Sequence, residues 1–195
     1  MLSAYFRTMN KDQNPWTILD QQEIYENAWI KLTEFQVLNP GGGKGIYGKV
    51  HFNNFAIGVI PLDADMNTWL VGQYRFLLGQ YSWEIPEGGG SLLEDPVEEA
   101  KRELLEETGL VAGEWTEILN MYLSNSVTDE HAIIYLAHNL EQRKPSPEET
   151  EKLEVKKIHL DEVIRMVESG QITDAMSIAA IQRVQLLIYQ NKIKR

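Results

Sequence analysis

The chain has 195 residues, 43% hydrophobic and 24% charged, with a formal net charge of −11 and no cysteine. That is enough chain for one medium domain with its own core, or for a domain with an extra arm. The missing cysteine excludes disulfides, thiolate metal sites and a cysteine nucleophile, and the acidic balance disfavours nucleic acid or an anionic membrane as a general partner.

The sequence holds no run of about 18 apolar residues to read as a transmembrane helix. Its opening, MLSAYFRTMNKDQNPW, lacks the apolar region of a signal peptide. A cytoplasmic location is therefore expected, in keeping with the absence of cysteine.

Residues 1–15 are polar and carry no period. Strand-like text begins at Trp16. Trp29, Lys31 and Thr33 alternate with Ile30, Leu32 and Glu34, which predicts a strand over 28–37. The run Asn39-Pro40-Gly41-Gly42-Gly43 marks a turn, and residues 45–52 read as the returning strand. Residues 1–53 are thus expected to form a β-rich arm, and residues 54–195 the main domain.

In that domain, residues 56–61 (AIGVIP) have the composition of a fully buried strand, followed by a turn and a second strand over 68–74. Residues 83–86 read as a short strand, and the glycines from Gly88 onward as a turn. The helix signals that follow are clear. Asp95 suits the N-cap, Pro96 the first helical position, Glu98 the acid of a capping box, and Gly109 the C-cap. Strands are predicted over 115–120, 132–137 and 153–158, and helices over 160–168 and 174–190. The stretch 141–150 reads as a proline- and glutamate-rich loop. Strands around one marked helix, with two helices at the end, predict an α+β domain layered as an α/β/α sandwich.

The helix over 96–108 is unusual in its charge. From Gly88 to Leu110 there are seven acids (Glu94, Asp95, Glu98, Glu99, Glu103, Glu106, Glu107) against Lys101 and Arg102. At about 100° per residue, Glu99, Glu103, Glu106 and Glu107 share one arc, while Val97, Ala100 and Leu104 form an adjoining core stripe. A plain solvated face normally mixes its signs, and like charges one turn apart destabilise a helix. Arg102 sits beside the acids, where it can hold them. Hard oxygen donors select Mg²⁺, Mn²⁺ or Ca²⁺, and EF-hand spacing is missing.

The spacing itself is that of a known motif. Gly88, five residues, Glu94, seven residues, then Arg102-Glu103-Leu104-Leu105-Glu106-Glu107-Thr108-Gly109-Leu110 matches nine fixed positions over 23 residues. The chain thereby resembles the Nudix family. The resemblance implies the Nudix fold, a mixed sheet between helices. It also implies Mg²⁺- or Mn²⁺-dependent hydrolysis of a nucleoside diphosphate linked to another moiety, with two or three ions per site. Glu103, Glu106 and Glu107 match the metal-binding acids, and the Glu87 carbonyl a backbone ligand. Gly88 shapes the loop, and Arg102 with Glu94 matches the pair that braces it.

Outside the box, Gln73-Tyr74-Arg75, Trp83-Glu84-Ile85-Pro86 and the acidic loop near Glu149 resemble the ADP-ribose pyrophosphatase branch. There the arm is exchanged between the subunits of a homodimer, and Arg75 matches an arginine that contacts substrate phosphate. Glu84 is expected either to hold Arg75 or to meet an adenine or ribose group. Glu149 matches the general base and Glu151 a metal helper; a register slip of two would exchange them. Ser124, Asn125 and Glu130 fall in a loop that meets the substrate. Asn125 replaces the proline usual in the ADP-ribose branch, which leaves room for other nucleoside diphosphate sugars.

The expected reaction is metal-dependent cleavage of the pyrophosphate of ADP-ribose or a related nucleoside diphosphate sugar, with Glu149, Glu106 and Arg102 in the chemistry. Hydrolysis of nucleoside triphosphates or dinucleoside polyphosphates is the runner-up, disfavoured by the arm and the late acidic loop. A non-catalytic module that binds a nucleotide sugar would have no need of every box acid. Arm aromatics such as Trp29 and Tyr47 read as strand or interface residues. No histidine shows ligand spacing.

Overall fold

Alternate side chains of β4 (Asn54–Pro61) and β9 (His131–Gln142) leave opposite faces of one sheet, and so divide the core in two. Ile57 and Val59, with Ile133, Tyr135 and Ala137, turn toward Ala100 and Leu104 of α1 (Pro96–Thr108). Ile60, Ile134 and Leu136 turn the other way, toward α2 (Leu160–Glu168) and α3 (Ala175–Tyr189). Over residues 57–61 and 132–137 the two strands are buried on both faces, which explains the near-continuous apolar text there. The computed structural model describes residues 13–144 and 152–193.

The sheet has the order β7–β4–β9–β8, with β7 spanning Glu87–Ser91 and β8 Leu110–Tyr122. Its β4–β9 pair is parallel and the rest antiparallel, so the sheet is mixed. A second antiparallel sheet joins β5 (Asn67–Arg75), β6 (Gln80–Glu84) and β10 (Glu154–His159) in the order β10–β5–β6. Helices on both sides of a mixed sheet give the expected α/β/α sandwich. Among the described residues, no helix is long and apolar enough to cross a membrane.

The first three strands, β1 (Thr17–Glu26), β2 (Ile30–Leu38) and β3 (Lys44–Phe52), form an antiparallel sheet of their own. Asn39 shapes the β2–β3 turn, its Oδ1 accepting the Gly41 and Gly43 amides. Every residue of β1 is exposed.

Helix α1 follows its sequence signals. The Asp95 carboxylate accepts the Val97 amide at 3.1 Å, and Gly109 closes the helix at φ 72° with its amide on Leu105 O. Glu98 serves differently from expectation. It pairs with Lys101 at 2.7 Å and does not reach back to complete a capping box. The larger correction concerns the glycines before the helix. They form strand β7, paired with β4 from Asn54↔Ser91 to Gly58↔Glu87. A glycine strand is weak by itself, but it lets another element come close. A Cβ on Gly90 would press against Ile57 and Glu99, so α1 sits down directly on this strand. Strands β8 and β9 also run longer than 115–120 and 132–137. Their pairing continues from Leu110↔Gln142 to Tyr122↔His131, through polar residues that a half-solvated antiparallel ribbon tolerates.

Candidate active site

Arg102 is the hub of the acidic helix face. Its Nη1 donates to Glu106 at 2.6 Å, and its Nη2 to Glu103 at 2.6 Å, to Glu99 at 2.9 Å and to the Gly89 carbonyl at 2.8 Å. Burial alone would lower this guanidinium's pKa, but Glu99, Glu103 and Glu106 hold it above its ordinary value. One cation thus faces three carboxylates. Glu107 lies on the same arc, buried, and accepts the Glu87 amide at 2.9 Å. Glu103 is buried too, and the space of a Gly88 side chain is filled by its carboxylate.

A second hub stands at the end of β5. Arg75 donates from Nε to Glu84 at 2.9 Å and from Nη2 to the same carboxylate at 2.5 Å, a two-point contact. Nη2 also meets Glu87 at 3.1 Å. Of the two uses weighed for Glu84, the structure shows it holding Arg75; its side chain is only 3% exposed. Arg75 is raised above its ordinary pKa, chiefly by Glu84. Glu87 is pushed well up, first by burial, then by Asp174 and Glu84, with Arg75 opposing. Its Oε2 is buried and accepts no hydrogen bond.

The two hubs flank one strand. A cavity of about 800 Å³ is lined by Arg75, Glu84, Glu87, Glu130 and Asp174, by Trp29 and Phe52 of the arm, and by residues 76–78 of the β5–β6 turn. A neighbouring groove of about 320 Å³ takes Arg102, Glu103 and Gly90. Trp29, Asn54, Gly88 and Gly89 line both. The glycine strand is therefore the shared edge between an acidic face and a cavity with an arginine in its wall.

Glu130 and Asp174 stand in the wall of the large cavity. Burial, then Asp174, raises the Glu130 carboxyl above its ordinary value. Asp174 is also the N-cap of α3, accepting the Ser177 amide at 2.6 Å. Ser124 and Asn125 do not line the cavity, which takes Leu123 and Glu130 from the same loop. Asn125 borders a separate depression beside Tyr47 and Lys49. Glu94 makes no ion pair with Arg102, whose partners are Glu99, Glu103 and Glu106. Glu149 and Glu151 lie outside the described residues.

Two features escape a reading of the sequence. Asp174 is legible there only as a helix start. Asp129 accepts from Lys49 at 2.6 Å and from His51 at 2.7 Å, with its other oxygen on the Phe52 amide at 3.2 Å. Burial would raise Asp129, yet Lys49 and His51 bring it below its ordinary pKa. No spacing rule joins residues 78 positions apart.

The residues present fit a divalent cation. Among the described residues, no three acidic or histidine side chains converge as a ready-made cation site. The donor set is nonetheless all hard oxygen, the acids outnumber their arginine, Glu103 fills the cradle left by Gly88, and Glu87 keeps a buried oxygen without a hydrogen bond.

Comparison with known proteins agrees. The NUDIX domain model matches residues 53–178. ADP-ribose pyrophosphatase of Bacillus subtilis (strain 168) is 35% identical over 168 residues, 85% of this chain and 90% of that protein. ADP-ribose pyrophosphatase of Mycobacterium tuberculosis is 28% identical over 88% of this chain and 84% of its own length. A crystal structure described as an ADP compounds hydrolase superposes with a TM-score of 0.82 at 20% identity, covering 93% of this chain and 98% of the other, a likeness of fold. With its box intact over β7 and α1 and the domain model matching residues 53–178, the chain belongs to the NUDIX domain family.

Proposed function

We propose that this protein is a divalent-metal-dependent pyrophosphohydrolase that cleaves ADP-ribose, or a closely related nucleoside diphosphate sugar, to a nucleoside monophosphate and a sugar phosphate. The carrying observation is the shared glycine edge. It sets the acidic face of α1 beside a cavity whose wall offers one arginine. The relatives named as ADP-ribose pyrophosphatases support the choice of substrate.

Glu103, Glu106 and Glu107, with the Glu87 carbonyl, are the groups that would hold Mg²⁺ or Mn²⁺. Bound there, such ions neutralise pyrophosphate charge and acidify a coordinated water. The chain's own residues supply position. Glu84 fixes Arg75 through Nε and Nη2, and neither Glu84 nor Glu87 takes Nη1, which remains to donate to a phosphate oxygen. Arg102 aligns Glu103 and Glu106. In the reaction, a water oxygen bonds to one phosphorus as the bridging P–O bond breaks, and Glu149 accepts the water's proton. Glu151 assists on the metal side. Glu130 and Asp174 accept sugar hydroxyls.

The protein works as a homodimer through residues 1–53. Ile18, Leu19, Ile24 and Tyr25 are all exposed on β1, more apolar surface than a lone strand leaves open to water. Sedimentation of the wild type against Ile18→Asp/Ile24→Asp tests this, with a monomeric wild type as the contrary result.

The activity is tested by product identification across ADP-ribose, GDP-mannose, UDP-glucose and a dinucleoside polyphosphate, each with Mg²⁺ or Mn²⁺. AMP and ribose 5-phosphate as the fastest-formed products support the proposal. A preference for the dinucleoside polyphosphate, or turnover unaffected by both Glu106→Gln and Glu107→Gln, overturns it.

A further inference from the structure

The arm and the loop that carries Glu130 are tied by one carboxylate. Asp129 gathers three donors from the second half of β3, on Lys49, His51 and Phe52. Lys49 Nζ stands at 2.6 Å and His51 Nδ1 at 2.7 Å from Oδ2, and the Phe52 amide at 3.2 Å from Oδ1. Lys49 and His51 are two residues apart on a strand, so their side chains leave the same face and can share one acceptor. Main-chain bonds run alongside. The Val50 amide donates to Val127 O at 2.9 Å, and the Asp129 amide to Val50 O at 3.3 Å. The loop is in effect an added short strand, bridged in parallel at Val50↔Thr128.

What this tie fixes is the site. The residue after Asp129 is Glu130 and the residue after His51 is Phe52, and both line the large cavity. Trp29 stands at the same end of the arm sheet as Phe52, its carbonyl accepting the Asn53 amide at 2.9 Å, and lines the cavity too. A carboxylate in a cavity wall selects among substrate hydroxyls only if its backbone is held to within a fraction of an ångström. Glu130 itself is only half-buried, and no hydrogen bond to its carboxylate is formed among the described residues, so its placement falls to its neighbours.

We propose that Asp129, clamped by Lys49 and His51, is a positioning residue for substrate binding. It acts through Glu130 by fixing that carboxylate against the arm residues of the same cavity. It does not touch the substrate. The proposal rests on the reading that this cavity takes ADP-ribose.

The test is calorimetric titration of ADP-ribose, with Mg²⁺, into protein carrying Glu106→Gln to stop turnover. On that background Asp129→Ala weakens binding about tenfold, as does Glu130→Gln. The two together weaken it no more than about twofold beyond Glu130→Gln alone, because the first works through the second. In the otherwise wild-type enzyme, Asp129→Ala raises KM with kcat changed less than about twofold. Asp129→Asn, which retains an acceptor for the Phe52 amide, recovers part of the affinity. A merely structural residue behaves otherwise: its loss adds in full to that of Glu130→Gln. Additivity, or unchanged affinity in Asp129→Ala, overturns the proposal. Should Asp129→Ala not fold, Lys49→Met removes one donor and leaves the backbone tie. It weakens binding two- to threefold when Glu130 is present and not when it is Gln, and additivity there is equally fatal. If the Glu106→Gln parent does not bind ADP-ribose at all, the substrate reading falls, and this proposal with it.

Discussion

The carboxylate of Glu103 occupies the space in which any side chain on Gly88 would have to stand. Gly88 has no left-handed backbone to justify it, so its role is to leave this room. Gly88→Ala therefore acts on Glu103. We expect kcat/KM to fall about 10- to 100-fold, as when a ligand's supporting partner is lost. The Mg²⁺ concentration for half-maximal rate rises with it. Overpacking costs roughly 1–3 kcal/mol of stability, measurable by urea unfolding. Full activity in Gly88→Ala would show that Glu103 is free to lie elsewhere.

Charge on α1 gives a second expectation. Three carboxylates share Arg102, and Glu107 is buried beside them, so an added cation relieves repulsion. Saturating Mg²⁺ raises the thermal midpoint. The gain corresponds to about 2.7 kcal/mol at 100 times the dissociation constant. Glu107→Gln removes most of this shift and lowers turnover by more than the roughly 100-fold typical of supporting residues. Calorimetry with and without EDTA reads the effect directly.

Arg75→Met strands Glu84, which is 3% exposed. The expected destabilisation is about 3 kcal/mol, at the low end for a broken buried pair because Arg75 itself is 38% exposed. Adding Glu84→Gln returns most of that loss but does not restore KM. Urea midpoints and kinetics on the two variants separate the fold-holding role of Arg75 from its role in the site.

The pH dependence of stability has a definite sign at Glu130. Burial and Asp174 hold its folded carboxyl above the ordinary value of 4.5. The folded state then binds the proton more tightly than the unfolded chain. This contribution to stability is fully present below 4.5 and is lost as pH rises through the higher folded value. Ionised Glu130 thus costs stability at neutral pH. Glu130→Gln raises the thermal midpoint at about pH 7 while weakening substrate binding, and its advantage vanishes by about pH 4. A midpoint gain that is the same at every pH would assign the effect to something other than this titration.

The sequence made the main domain legible where local rules are strong. Helix α1 begins and ends at the expected residues because Asp95, Pro96 and Gly109 each satisfy a backbone need within a few positions. Strand β7 was invisible for the opposite reason. Glycine has low strand propensity, and only the pairing with β4 and the pressure of Glu99 and Glu103 from α1 explain why the chain extends there. The box acids were readable from spacing. The partition of the site was not, because Arg75, Glu87, Glu130 and Asp174 come from four elements that meet only in the folded chain. Ser124 and Asn125 show the same limit. Close to Leu123 in sequence, neither lines the cavity that Leu123 faces, and Asn125 borders the arm instead.

Trp29 is 68% exposed and stands at the lip common to both cavities. Trp69, by contrast, is buried in the core. The indole ring at this lip is a built-in optical probe: whatever enters either side changes its solvent and hence its emission. With Trp29→Phe as the control that leaves only the emission of the other four tryptophans, the order in which cation and nucleotide arrive becomes readable in a stopped-flow trace, from the native chain and without a label.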